Sequence, residues 1–418
     1  MSLKPGYKQT EIGVIPDDWA VKELGEIAEF TNGKPNEQNV VVNGRYLLVT
    51  LDSINIQGEL KTSHKQTNLL DDSLRAGDIV TVLSDIAHGN LLGLCGVIPL
   101  DHKYVLNQRM GRLRVHSGYD PGFIRLKVNR NQNHFKMRGQ GTSQRHIYRR
   151  DFDCLKIGLP NSVAEQKAIA KALSDVDALI DSLEALLIKK RNIKTGVMQE
   201  LLTGRTRLPG FSEDWKEVRL GAICDFVPTI ALSRAQLEAD EGVMCIHYGD
   251  IHTKFSDRLD IANAMLPKSE TLLVARVPRL KVGDLVLADA SEDLVGVGKS
   301  VEIVSVGSVE VVGGLHTVVL RPKVGNFAPG FAGLLQHTPR FKEQSRVLAA
   351  GLKVYGLSKT SIGKILVFVP PVKEQKAIAA VLSDIDDEIE ALEKRLAKTR
   401  DLKQGMAQEL LTGRTRLV

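Results

Sequence analysis

A chain of 418 residues is long enough for two or three domains, each able to bury its own core. Hydrophobic residues at 43% and charged residues at 25% are the balance of an ordinary soluble globular protein, and no apolar run is long enough for a transmembrane helix. The net charge of +6 and a pI near 9.0 permit nucleic-acid binding without proving it. The first residues, MSLKPGYKQTEIG, lack the apolar stretch of a secretory signal. Cys95, Cys154, Cys224 and Cys245 are scattered with no CxxC pair, which predicts buried free thiols in a reducing, cytoplasmic setting rather than a disulfide frame or a zinc site.

In chain order the pattern is globular segment, long helix, globular segment, long helix, with boundaries expected at 1–160, 161–205, 206–370 and 371–418. The two globular segments read as diverged copies. Trp19, Leu24, Gly25 and Phe30 parallel Trp215, Leu220, Gly221 and Phe226. Residues 46–54 parallel 245–251, each a short strand leading to an aspartate, Asp52 or Asp250. Residues 76–85 parallel 282–291, a Gly-Asp turn running into an alternating strand. Residues 111–115 parallel 318–322, and 153–160 parallel 363–370, a strand that reaches a helix through proline. Short helices are expected at 121–132 and 328–348. The material between these framework blocks differs, which suggests one kind of task directed at two different targets.

The long helices carry the strongest signal. Residues 165–208 and 374–417 match at 28 of 44 positions, without a gap, at an offset of 209. Ile169, Leu173, Val176, Ile180, Leu183 and Leu187 are spaced 4, 3, 4, 3, 4, as are Ile378, Leu382, Ile385, Ile389, Leu392 and Leu396. That is a two-per-heptad seam, which in water needs a partner, and the nearest partner is the other copy. Ser162 with Glu165 predicts a capping box, Pro370-Pro371 a helix start, and Gly204 and Gly413 the two stops. At 1.5 Å per residue, about 40 residues make a helix of roughly 60 Å. Gly196 and Gly405 occupy the same place in both helices, where glycine costs about 1 kcal/mol against alanine; close helix approach or contact with a partner backbone is the preferred reason. The class expected is α+β: two similar α/β domains separated by two long helices that form an antiparallel intramolecular coiled coil in a pseudo-two-fold arrangement.

The domain order, the Glu-Gln-Lys-Ala-Ile start that follows Pro160 (160–169), its second copy following Pro371, the GRTRL ends at 204–208 and 413–417 and the GTSQ turn at 141–144 resemble the specificity subunit of Type I restriction-modification enzymes over the whole chain. The corresponding turn of the second segment, GLKV at 351–354, lacks the glutamine. The resemblance implies two target recognition domains, each reading one half of a bipartite double-stranded DNA site, with the helices as spacer. It implies docking of two methyltransferase subunits and, through them, restriction and translocase subunits. It further implies that the chain is not itself catalytic and that S-adenosylmethionine, ATP and magnesium belong to the partners. No adenine-methylation motif and no glycine-rich cofactor loop occurs in the chain.

Arg and Lys read guanine, Asn and Gln read adenine, and cations hold phosphates. In the first segment the candidates are therefore Asn32, Lys34, Ser84, His88, Asn90, Lys136, Arg138, Gln144, Arg145, His146, Tyr148 and Arg149, the densest cluster being 136–150, with residues 107–114 weaker. In the second they are His247, Tyr248, His252, Lys254, Ser291, Lys353, Tyr355, Ser358 and Lys359. Three other signals are set aside. GVGKS at 296–300 has Asp293 where a phosphate loop needs glycine. His247 and His252 lack a third metal ligand. Asp153, Glu165 and Lys167 could form a nuclease site, but the second copy has no matching aspartate, and an acid at a helix start favours the dipole. The rival readings are a single-chain metal-dependent nuclease and a coiled-coil adaptor that binds protein.

Overall fold

The computed structural model describes residues 5–61, 65–71, 73–86 and 89–417. The chain forms two compact units, one of residues 1–184 with 395–418, the other of residues 185–394. Each is α+β, and each is built on the same frame.

The first unit has a four-stranded antiparallel sheet in the order Cys95–Val97, Ile79–Val82, Met110–Val115, Ala28–Asn32. The second has Ser300–Ser305, Leu285–Ala288, Thr317–Pro322, Cys224–Val227 in the same order, with Arg258–Asp260 added in parallel beside Ser300–Ser305. Phe30 pairs with Leu113, and Phe226 pairs with Leu320. The Gly-Asp turns have a common purpose. Asp78 and Asp284 are buried, and each takes a two-bond fork from an arginine of the neighbouring strand, Arg114 at 2.8 and 2.7 Å and Arg321 at 2.7 and 2.6 Å. A small parallel pair recurs too: Tyr46–Val49 with Tyr104–Leu106, and Val243–Ile246 with Val311–Gly313. So does a two-stranded ribbon, Trp19–Glu23 with Lys156–Pro160 and Lys216–Arg219 with Leu366–Val369.

The long helices are Val163–Leu202 and Val372–Leu410. Within the first unit the start of one lies antiparallel to the end of the other, since Asp177 pairs with Lys403 and Glu184 with Arg400 (2.6 Å). Within the second unit the pairs are Lys190 with Glu388, Arg191 with Glu393 (2.6 Å) and Lys194 with Asp386 (2.7 Å), again antiparallel. All twelve seam residues are buried or half-buried. Their ends do more than join helix to helix. Ile169 and Leu173 lie in one core with Trp19, Phe123 and Leu410, and Ile378 and Leu382 lie in one core with Leu201, Leu320 and Phe331. A fully buried Leu or Ile contributes about 1.5–3 kcal/mol, so each globular part is itself the partner that the exposed ends of a lone seam would lack.

The Glu-Gln starts and GRTRL ends interlock. In the first unit the Arg416 guanidinium donates to both oxygens of buried Glu165 (2.5 and 2.8 Å) and to Asp18 (2.8 and 2.7 Å). In the second, Arg207 donates to both oxygens of buried Glu374 (2.5 and 2.6 Å), and Trp215 Nε1 adds a third bond at 3.1 Å. Gln166 and Gln375 bond back to the carbonyls of Pro160 and Pro370. The repeated motif is thus a latch between the end of each helix and the start of the other.

Several expectations change. The Ser162 box is half made: Ser162 Oγ accepts from Glu165 N at 3.4 Å, while the Glu165 carboxylate goes to Arg416. Close helix approach at Gly196 and Gly405 does not hold, because a β-carbon at either would meet nothing within 4 Å. Cys154 is exposed; the other three cysteines are buried, and burial pushes the Cys95 thiol up to about 12. Among the described residues no helix is long and apolar enough to cross a membrane.

Candidate nucleic-acid interface

Antiparallel register brings the candidate residues to one end of each sheet. In the first unit Asn32 pairs with Gly111, and Met110 pairs with Val82, so residues 33–39, 83–86 and 107–109 leave from the same edge. Ser84–Ile86 then pairs with Gln144–His146, Ser84 opposite His146 and Arg145 opposite Asp85. The Asn90 side chain accepts from Lys136 at 3.0 Å, and Arg145 donates to the Gly139 carbonyl at 3.0 Å. Ser84, Asn90, Lys136, Gln144, Arg145 and His146 are therefore one cluster.

Its turn has a fixed shape. Gln140 and His146 exchange two backbone bonds at 2.9 and 2.8 Å around a five-residue loop. Gly141 sits there at φ 113°, and a β-carbon would overlap the Gln144 carbonyl. Tyr148 caps the helix Arg149–Asp153 with an exposed ring near the Arg150 guanidinium (5.9 Å), and Arg149 pairs with Asp153 at 3.0 Å. Asn32, Lys34, Lys136, Arg138, Tyr148 and Arg149 are exposed; Ser84 is buried. His88 lies outside the described residues. The arginines of the 107–114 stretch that lie in the strand are spent inside: Arg112 donates to Ser73 O and Thr31 Oγ1, and Arg114 holds Asp78.

The second unit repeats the frame with other chemistry. Ala288 pairs with Thr317, so residues 289–297 and 314–316 share an edge. Ala290–Ser291 pairs with Tyr355–Gly356, and Ala350 and Gly356 close a five-residue loop with bonds of 3.0 and 2.8 Å. Gly351, at φ 136°, takes the place of Gly141. Ser358 Oγ caps the helix Lys359–Lys364 by accepting from Ser361 N at 3.0 Å. Lys353, Ser358 and Lys359 are exposed; Tyr355 is half-buried and Ser291 buried.

His247 and Tyr248 begin a short helix, Tyr248–Thr253, at the same edge. The Tyr248 ring is 4.7 Å from that of His247, 6.2 Å from that of His252 and 5.3 Å from that of His316. His252 Nε2 bonds to the Ala290 carbonyl at 2.9 Å. His247 is buried as an N-cap; burial, and then Arg234, hold its pKa below the usual value. Lys254 is not a free phosphate donor. It pairs at 2.9 Å with fully buried Asp250, which Arg234 also holds by two bonds of 3.1 Å. Burial alone would raise the Asp250 pKa, but these two cations outweigh it and hold the carboxyl low.

Sequence reasoning missed His316, Arg234 and Asp289. His316 adopts φ 52° and bonds to Asp289 at 3.1 Å. It was hidden because only strand register brings residue 316 beside 248 and 289.

The signals set aside resolve as structure. Asp293 accepts from Gly296 N at 2.6 Å, and the Lys299 ammonium donates to the His252 carbonyl, so GVGKS is a turn. Asp153 and Glu165 each hold an arginine, Arg149 and Arg416, and the nuclease reading finds no support.

A family model, the Type I restriction modification DNA specificity domain, matches residues 16–190. The Type I restriction enzyme MjaVIII specificity subunit of Methanocaldococcus jannaschii is 25% identical, over 96% of this chain and 94% of its own. The crystal structure of a Type-I restriction-modification system S subunit from M. genitalium covers 98% of this chain and 99% of its own, at TM-score 0.60 and 15% identity. A structure reported for complex assembly and conformational transition of the type I R-M system covers 96% and 99%, at TM-score 0.55 and 18% identity. The family match over residues 16–190, the full-length relative and the shared fold agree with the internal repeat: over nearly its whole length the chain is similar to specificity subunits of Type I restriction-modification systems.

Proposed function

We propose that each unit reads one half of a bipartite, non-palindromic double-stranded DNA target through the sheet edge just described. The paired helices set the distance between the half-sites and dock two methyltransferase subunits, through which the restriction and translocase subunits join. The chain itself cuts and methylates nothing. S-adenosylmethionine, ATP and magnesium act on the partners, in the cytoplasm. One observation carries this reading: two frames with the same strand order present different side chains at the same edge, Thr142, Ser143, Gln144 and Arg145 in one and Leu352, Lys353, Val354 and Tyr355 in the other. Equal scaffolds with unequal edges suit two different sequences.

The test is methylation mapping in cells that carry this chain with its methyltransferase, with and without exchange of residues 1–160 for those of a relative. The exchange leaves both long helices in place. The expected result is a bipartite methylated motif that changes in one half only. A single continuous motif, or methylation indifferent to the chain, would overturn the reading and favour a protein-binding adaptor.

A further inference from the structure

The loop closed by Ala350 and Gly356 exposes apolar side chains that its own unit leaves uncovered. Leu352 is 96% exposed and Val354 54%. The strand Ala290–Ser291 leaves this ladder at the same end, and Val295 in the segment that follows is 80% exposed. The corresponding loop of the first unit has the same bonds and the same left-handed glycine, yet places Thr142 where Leu352 stands and Gln144 where Val354 stands. The loop geometry therefore does not require leucine or valine. Apolar atoms gain nothing while they face water, so the two side chains point to a surface that covers them on binding. Lys353 lies between them and Lys359 follows, so that surface also carries negative charge.

In DNA an anionic backbone flanks one apolar base-edge group in the major groove, the 5-methyl of thymine. We propose that the loop at residues 351–355 reads thymine through its 5-methyl group, with Leu352 and Val354 as the contacting side chains and Lys353 and Lys359 on the flanking phosphates. Gly351 holds the loop in shape before DNA arrives, because a β-carbon there would overlap the Val354 carbonyl. The proposal rests on the reading that the second unit binds DNA. It adds what that unit recognises: where the first unit offers hydrogen-bonding groups, the second offers a methyl-sized apolar contact.

The experiment uses the full chain assembled with its methyltransferase subunits and duplexes that carry its mapped site. Each thymine of the half-site that survives exchange of residues 1–160 is replaced singly by uracil, which pairs identically but lacks the methyl. At one or more positions uracil should weaken binding about fourfold, the worth of one buried methyl. The double variant Leu352→Ser, Val354→Ser should bind thymine and uracil duplexes alike there, with the other half-site still read. Equal binding of thymine and uracil by the wild type would overturn the proposal, as would a half-site of G·C pairs alone. A thymine preference that survives in the double variant overturns it too, as does a double variant whose only defect is assembly with the methyltransferase. If binding does not depend on this half-site at all, the two-unit reading fails with it.

Discussion

Arg416 holds Glu165 and Asp18 together, and Glu165 has almost no water to turn to if the guanidinium is lost. Arg416→Ala should therefore cost about 2 kcal/mol, between the values for exposed and buried pairs because the arginine is partly wet. Urea unfolding of the wild type and variant measures it, and a loss below a few tenths would sink the latch. Lys127 is another residue whose chemistry the fold has altered. Its ammonium is buried against Trp19 (5.7 Å), donates to the Leu411 carbonyl at 2.9 Å, and is brought to about 7 by burial and then by Arg130. An unfolded lysine stays protonated to about 10.4. Between these values the unfolded chain binds the extra proton, so this group makes the fold more stable as pH rises from 7 towards 10. The urea midpoint of the wild type, relative to Lys127→Met, should climb between pH 7 and 9; parallel curves would show that the amine is already solvated.

At the scale of elements, the long helices have glycine where nothing demands it. Gly196 is exposed and open on the side where a β-carbon would point. Gly196→Ala should stabilise the isolated chain by about 1 kcal/mol in thermal or urea unfolding. If methyltransferase assembly falls at the same time, a partner backbone lies against the glycine; if assembly is unchanged, the glycine is only tolerated. The hairpin loops are the opposite case. Gly141 and Gly351 are fixed by φ and by an adjacent carbonyl, and the loops they shape carry the residues expected to meet DNA. The helix seam was legible because a 4, 3, 4, 3, 4 spacing has few other uses. The packing of Ile169, Leu173, Ile378 and Leu382 into the globular cores was not, since periodicity names a buried face without naming what covers it.

At the scale of the molecule, one unit joins residues 1–184 to residues 395–418, the other is the continuous stretch 185–394, and each has its own latch. Arg416→Ala should raise hydrogen exchange in residues 163–184 and 395–410, and Arg207→Ala in residues 185–202 and 372–394. A variant that loosened both sets equally would show that the units do not act separately. The sequence by itself determined the two-fold repetition, the framework strands, the two long helices with their starts and stops, and the family resemblance, because each rests on local spacing or on a motif that occurs twice. Only the tertiary structure decided that Glu165 and Glu374 face arginines from the other repeat, that Arg112, Arg114 and Lys254 are occupied, and that His316 stands beside Tyr248. Those depend on which strands pair and which helix end meets which start, and contacts between residues tens to hundreds of positions apart leave no period in the sequence.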